Sequence, residues 1–247
     1  MVTYGIDLGT TYTKVAYISP EAGAQVMTVP MGMEHLLPGH QAPGLRSAVA
    51  LWTDREGRPM ACVGEEARGR SHYPGLRVLE ESKARIGLGV QDVDGFQDAE
   101  APPWRVEGQP RLEYRPEDIA ALILRQTKSV VDRLVPQHPM QNVVITFPQR
   151  FEEVRRAATR CAGDLAGLNV VGTLTEPDAV CWLFGVENQL PGVSLIFDIG
   201  GGTTDVNVVR YQDGCVEVLG SHGVHVAGRH FDHTLLSRVI LPACYQA

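Results

Sequence analysis

Two short stretches hold the residues best suited to chemistry. In "GIDLGTTYTKVAY" (Gly5–Tyr17), Asp7 closes an apolar run and is followed by Gly9, Thr10, Thr11 and Tyr12. In "LIFDIGGGTTDVNVVRY" (Leu195–Tyr211), Asp198 stands in the same place, ahead of Gly200, Gly201, Gly202, Thr203 and Thr204, with Asp205 just beyond. A turn of glycine and threonine leaves successive backbone N–H groups uncovered, and such concave rows of donors take phosphate oxygens. The threonine hydroxyls add further donors. A carboxylate beside bound phosphate is repelled unless a divalent cation stands between them. Asp7 and Asp198 are therefore candidate Mg²⁺ residues, acting directly or through the ion's waters. Neither turn has the GxxxxGK[ST] or GxGxxG pattern. A single such turn is ordinary turn composition. The recurrence of the aspartate in both copies points to a pair of turns that clamps a polyphosphate from two sides.

Each turn needs a strand on either side. Val2–Leu8 and Tyr12–Ile18 read as strands, and the second copy repeats the pattern. Pro20–Gly44 reads as loop with one strand at Gln25–Val29. Ser47–Trp52 and Met60–Val63 read as short strands, and Gly87–Arg115 as an acidic surface excursion. Pro116 opens a helix whose apolar stripe is Ile119, Leu122, Ile123, Val130 and Leu134. "NVVITFP" is a buried strand, and Phe151–Ala166 a helix with Phe151, Val154, Ala158, Cys161 and Leu165 predicted to face inward and Gly167 to stop it. "LNVVGTLTEP" is a further strand and Asp178–Glu187 a short helix. Alternating strands and helices imply an α/β layer structure. The two copies lie too far apart for a solenoid repeat. They read as two lobes: 1–188, and an unfinished 189–247 with three strands and one helix.

The net charge of −7 argues against nucleic acid or an anionic membrane as partner. No basic-then-apolar leader or apolar run of spanning length is visible. Five scattered cysteines without a CxxC pair suit a reducing, cytoplasmic setting. His222, His225, His230 and His233 give two HxxH spacings, but they spread over strand, loop and helix with no further ligand, and read as surface or loop histidines. Glu152, Glu153, Arg155 and Arg156 read as a solvated helix face.

Taken together, "GIDLGTTYTKVAY", "LRSAVAL" with "VGEEAR", "VVITFPQRFEEVRRAATRCAGDLAGLNVVGTLTEPDAV", "IFDIGGGTTDVNVV" and "GVHVAGRHFD" resemble the ATPase domain of the heat shock protein 70 (DnaK-type) chaperones, within the actin and sugar-kinase superfamily. The resemblance covers nearly the whole chain. It implies a ribonuclease-H-like, actin-like ATPase fold with a complete first lobe and the opening part of a second. It implies ATP or ADP with Mg²⁺, and hydrolysis by an in-line water that switches a partner domain. By position, Asp7, Gly9, Thr10, Thr11 and Tyr12 match the first phosphate loop, and Asp198, Gly200, Gly201, Gly202, Thr203 and Thr204 the second, with Thr203 facing the terminal phosphate. Glu176, in "TEP", would line the cleft near the metal, and Gly228 would contact nucleotide. Pro148 and Arg156 match a pair that passes nucleotide state to a substrate-binding domain, whose partners would be unfolded client peptides and co-chaperones.

Three departures stand out. The family's lysine after "GDAA"-type residues is matched here by Arg68, a planar fork in place of a compact ammonium, so the expectation is ATP binding with slow hydrolysis. The family's "GGEDFD" appears as "VAGRHFD", with Ala227, Arg229 and His230 replacing a glycine and two acids. Finally, the sequence stops at Ala247, before the adenosine contacts, so it reads as a piece of a longer protein that binds ATP weakly alone. The alternatives are an actin-like filament, a small-molecule kinase, or a nucleotide-sensing scaffold without turnover, the last motivated by Arg68.

Overall fold

In β1 (Thr3–Leu8) every second residue is apolar, and Tyr4, Ile6 and Leu8 are at most 1% exposed. Gly5 and Asp7 take the other face, as the two-residue period of a strand requires. A computed structural model describes residues 2–23, 25–31, 44–73, 76–88, 104–106, 109–188, 192–212, 215–224 and 226–246. The other elements in chain order are β2 (Tyr12–Ser19), β3 (Gln25–Thr28), β4 (Leu45–Arg46), β5 (Ala48–Thr53), β6 (Pro59–Val63), α1 (Glu65–Gly69), β7 (Arg77–Glu80), α2 (Ser82–Arg85), β8 (Trp104–Val106), β9 (Gln109–Tyr114), α3 (Pro116–Leu134), β10 (Asn142–Phe147), α4 (Glu153–Leu165), β11 (Asn169–Thr175), α5 (Glu176–Asn188), β12 (Gly192–Ile199), β13 (Thr204–Gln212), β14 (Cys215–Val224), α6 (Gly228–Leu235), a π turn (Leu236–Ile240) and α7 (Leu241–Gln246).

The described residues form two compact units. The first comprises 1–147 and 151–174, the second 148–150 and 175–247. α5 groups with the second unit, where it packs on β13 and β14.

In the first unit a sheet runs β11-β10-β1-β2-β3, with β4 also on β2. β1 pairs in parallel with β10 and antiparallel with β2. α3 and α4 supply the layer above it. Pro116 sits in the first turn of α3, and the Asp118 carboxylate accepts the Arg115 N–H. Ile119, Ile123 and Val130 are buried as the periodicity implies, whereas Leu134 at the last turn is exposed. A three-stranded sheet of this unit runs β6-β5-β7, and β8 pairs with β9 in a two-stranded one.

Two expectations change here. Trp104, within the expected surface excursion, is 1% exposed and belongs to the core. The inward face around α4 also differs in part: Phe151 is buried and Ala158 packs on the core, but Val154 and Leu165 face solvent and Cys161 is exposed, while Thr159, Ala162 and Gly163 are buried. Small residues line the contact because the helix lies close to the sheet. A Cβ at Gly163 would collide with Val170 Cγ2 and come within 3.1 Å of Ile145 Cδ1.

In the second unit β12, β13 and β14 form an antiparallel meander. Asp205, Asn207 and Val209 are buried on one face of β13. The other face exposes Val193, Leu195, Phe197 and Ile199 of β12.

Two outcomes follow from this packing. Helix propensity alone would make Gly163→Ala stabilising by up to ~1 kcal/mol. The stiff Val170 side chain should reverse the sign and lower stability by about 1–3 kcal/mol in urea unfolding. The second concerns Tyr4, whose hydroxyl donates to the His138 carbonyl at 2.5 Å. Burial, with smaller pushes from Tyr17 and Asp132, raises its phenol to about 12. An unfolded tyrosine titrates near 10, so this contribution is intact below about pH 10 and is lost as pH rises through about 12. Between about pH 9 and pH 12, wild type should lose stability more steeply than Tyr4→Phe. Parallel curves would contradict this assignment.

Candidate functional site

The first turn spans Gly9–Thr11 between β1 and β2. Gly9 is required there, because a Cβ would run into the Tyr12 carbonyl. The turn is braced by Ser47, whose hydroxyl donates to Gly9 O at 2.7 Å and whose N–H donates to Thr11 O at 2.9 Å. Thr13 Oγ1 lies 3.1 Å from the same hydroxyl, buried beside it. Thr10 and Thr11 are half-buried. Tyr12 lies under the Arg46 guanidinium, which donates to its hydroxyl at 3.1 Å. Arg46 also meets Glu80 at 3.3 Å and Glu65 at 4.0 Å, which ties β4 to the neighbouring sheet and to α1.

Asp7 is the acid at the mouth of this turn, with its side chain 42% exposed. Two ammonium groups face it. Lys14, directly opposite in register, brings Nζ to 4.0 Å, and Lys83 brings Nζ to 3.8 Å of the other oxygen. Only three lysines occur in the chain, Lys14, Lys83 and Lys128, so two of the three converge on one carboxylate. The Lys83 side chain is only 10% exposed. It sits on α2, a single turn entered through Glu81 in the left-handed region (φ 66°). For a non-glycine residue that conformation costs about 1–2 kcal/mol, so surrounding contacts must hold it.

Lys83 was not among the expected site residues; Arg68 was. Arg68 lies on the exposed side of α1, and among the described residues no hydrogen bond or ion pair joins it to Asp7. The charge next to Asp7 is an ammonium, not a guanidinium. The available clue was composition: in a chain rich in arginine, a lysine in "LEESKARIG" is a marked choice.

The second turn spans Gly200–Thr203 between β12 and β13. It closes with Gly200 N–H donating to Thr203 O at 2.9 Å. The start of α6 backs it: Gly228 N–H donates to Gly200 O at 3.1 Å and Arg229 N–H to Gly201 O at 3.0 Å. The Gly228 amide, placed among the expected nucleotide contacts, is thus engaged in bracing the turn. Thr204 Oγ1 donates to Val226 O at 2.7 Å. Gly201, Gly202 and Thr203 are half-buried and Asp198 is exposed.

Asp198 pairs in register with Asp205, so two acids share one face of adjacent strands. Asp205 is 6% exposed and receives Arg150 Nε at 3.0 Å, while Arg150 Nη1 donates to Gly223 O at 3.2 Å. Gly223 leaves room for this arrangement, since a Cβ would strike Asp205 and Arg150.

Glu176 is half-buried at the first position of α5, where the Thr175 hydroxyl caps the Asp178 N–H at 3.2 Å and Pro177 fits the first turn. Arg156 donates to Phe151 O at 2.7 Å and stacks over Phe147, bracing the β10–α4 connection. Pro148 lies in that connection. Among the described residues no three His, Cys, Asp or Glu side chains gather as a metal cage. His230 caps its own helix through the Ala227 N–H, His222 and His233 are exposed, and His225 lies outside the described residues.

The description "Hsp70 protein" matches residues 3–241 of this chain. The chain belongs to the Hsp70 family. Its fold is accordingly the α/β fold of the actin-like ATPases. It is 31% identical over 246 residues to "Heat shock protein SSC3, mitochondrial" of Saccharomyces cerevisiae, covering 96% of this chain and 36% of that protein. It is 32% identical over 240 residues to "Chaperone protein HscA homolog" of Laribacter hongkongensis, covering 94% and 36%, and 33% identical over 249 residues to that of Pseudomonas paraeruginosa, covering 96% and 37%. The chain thus spans about a third of the length of these curated relatives.

The Arg150–Asp205 pair carries a direct test. Arg150→Ala would leave a buried carboxylate facing a second acid. It is expected to lower stability by about 1–3 kcal/mol, less than a fully buried pair because Arg150 is partly solvated. An unchanged urea midpoint would contradict this.

Proposed function

We propose that this chain is the phosphate-gripping part of an Hsp70-type chaperone ATPase, binding ATP with Mg²⁺ through its glycine–threonine turns and promoting hydrolysis. The observation that carries the reading is the convergence of Lys83 and Lys14 on Asp7 at the mouth of a turn held open by Gly9.

The residues fit the group the family implies. Mg²⁺ is commonly held by one or two carboxylates together with phosphates and waters, so a protein-only cage is not required. Asp7 and Asp198 are hard oxygen donors beside uncovered turns. Bound there, Mg²⁺ would neutralise charge on the phosphates.

The chain's own residues would do the rest. Backbone N–H groups of Gly9–Tyr12 and Gly201–Thr204 bind phosphate oxygens without having to reorganise. Lys83, compact and largely desolvated, presents its ammonium to the terminal phosphate and orients the attacking water. By the family resemblance, Thr203 would face the terminal phosphate and Glu176 would line the cleft near the metal. In this reading Lys83 rather than Arg68 supplies the charge beside Asp7, which removes the motive for a non-hydrolysing scaffold. In the longer protein, nucleotide state would pass through Pro148 and Arg156 to a substrate-binding domain, with client peptides and co-chaperones as partners. The five cysteines are all free, which suits a reducing compartment such as the cytoplasm.

Calorimetry with MgATP and single-turnover hydrolysis test the proposal. Lys83→Ala should reduce the rate by about 10²-fold or more, while Arg68→Ala leaves it near wild type. A wild-type chain that fails to bind MgATP, or a Lys83→Ala variant with an unchanged rate, would overturn it.

A further inference from the structure

Lys83 rides on a helical turn of four residues, Ser82–Arg85, too short to be stable by its own hydrogen bonds. It is entered through a strained Glu81 and left through Gly87 at φ +70°. Something outside the turn must fix it. That support comes from α4. Arg155 Nη2 donates to Lys83 O at 3.2 Å and to Ala84 O at 2.9 Å, and its Nε donates to Ile86 O at 3.0 Å. One guanidinium thus engages three carbonyls at the end of the turn, where a helix leaves its acceptors unpaired and favours positive charge. The guanidinium is itself fixed over the Phe151 ring, 3.8 Å from its centroid. Gly87 packs on the Arg155 backbone so closely that a Cβ would lie 2.7 Å from Arg155 Cα, and its N–H donates to Glu117 Oε1 at 2.8 Å. Arg155 is therefore not part of a solvated helix face.

We propose that Arg155 is a positioning residue for Lys83: its hydrogen bonds to the Lys83, Ala84 and Ile86 carbonyls, in and just after α2, hold the Lys83 ammonium at Asp7. The inference rests on the reading of Lys83 as the lysine of the proposed ATPase, but the placement of the amine is measurable without activity. The planar fork matters, because a lysine or glutamine cannot span three carbonyls.

The chain has three lysines to label, and two serve as internal standards. Lys14 is 54% exposed, and Lys128 is held by Asp132 and the Met140 carbonyl. Reductive methylation with formaldehyde, read by peptide mass spectrometry, should find Lys83 the slowest amine in wild type. In Arg155→Gln it should label at least about threefold faster, with Lys14 and Lys128 unchanged. An unchanged Lys83 rate would overturn the proposal. Should all three amines quicken, the milder Arg155→Lys decides: selective quickening of Lys83 supports the proposal, and wild-type labelling overturns it.

Single-turnover hydrolysis supplies the second arm. Arg155→Gln should slow the step about tenfold with MgATP affinity retained, and should add nothing in a Lys83→Ala background. An equal further loss in that background would show a merely structural role and overturn the proposal. If wild type does not bind MgATP, the proposed function fails and the labelling result still decides the role of Arg155.

Discussion

Strand β1 is gripped on both sides, by β10 in parallel and by β2 antiparallel, and this double register determines where Asp7 can be. Tyr4, Ile6 and Leu8 are buried beneath helices α3 and α4, so a slip of one residue would drive three apolar side chains into solvent and Asp7 into the core. The carboxylate must therefore emerge on the opposite face, at the strand end, beside Lys14. Everything at the first turn is arranged around that fixed charge: the glycine that keeps the turn open, the Ser47 brace, and the second ammonium brought in from α2.

The two turns share a logic and differ in how they are held. The first is braced by a side chain, Ser47, reaching in from the strand region that follows it. The second is braced by backbone, through the Gly228 and Arg229 amides at the start of α6. Each solution occupies carbonyls of the turn, those of Gly9 and Thr11 in the first and those of Gly200 and Gly201 in the second. The acids differ too. Asp7 is balanced by two lysines, whereas Asp198 stands opposite an acid whose charge Arg150 answers.

What was legible in the sequence was local. The strand–turn–strand pattern with its aspartate at the strand end, and the Pro116 helix, follow from periodicity and turn chemistry within a dozen or so residues. What escaped reading depends on contacts between distant segments. Lys83 meets Asp7 only because β7 and α2 fold back against the first sheet, and near "ESKAR" the choice of lysine over arginine is the sole hint. Arg155 looked solvated because i,i+3 spacing with acids is what an exposed helix shows, yet its partners lie about seventy residues away. The inward face of α4 was misjudged for a related reason. Large apolar residues normally mark the buried face, but a helix lying close to a sheet buries its smallest ones, here Ala162 and Gly163.

The proposed function makes the backbone amides of the two glycine–threonine turns the phosphate ligands. Amide NMR of the ¹⁵N-labelled chain, titrated with Mg²⁺ and ADP, tests it most directly. The account expects the amides of Gly9–Tyr12 and of Gly201–Thr204 both to shift. Shifts confined to one turn, or absent from both, would contradict it.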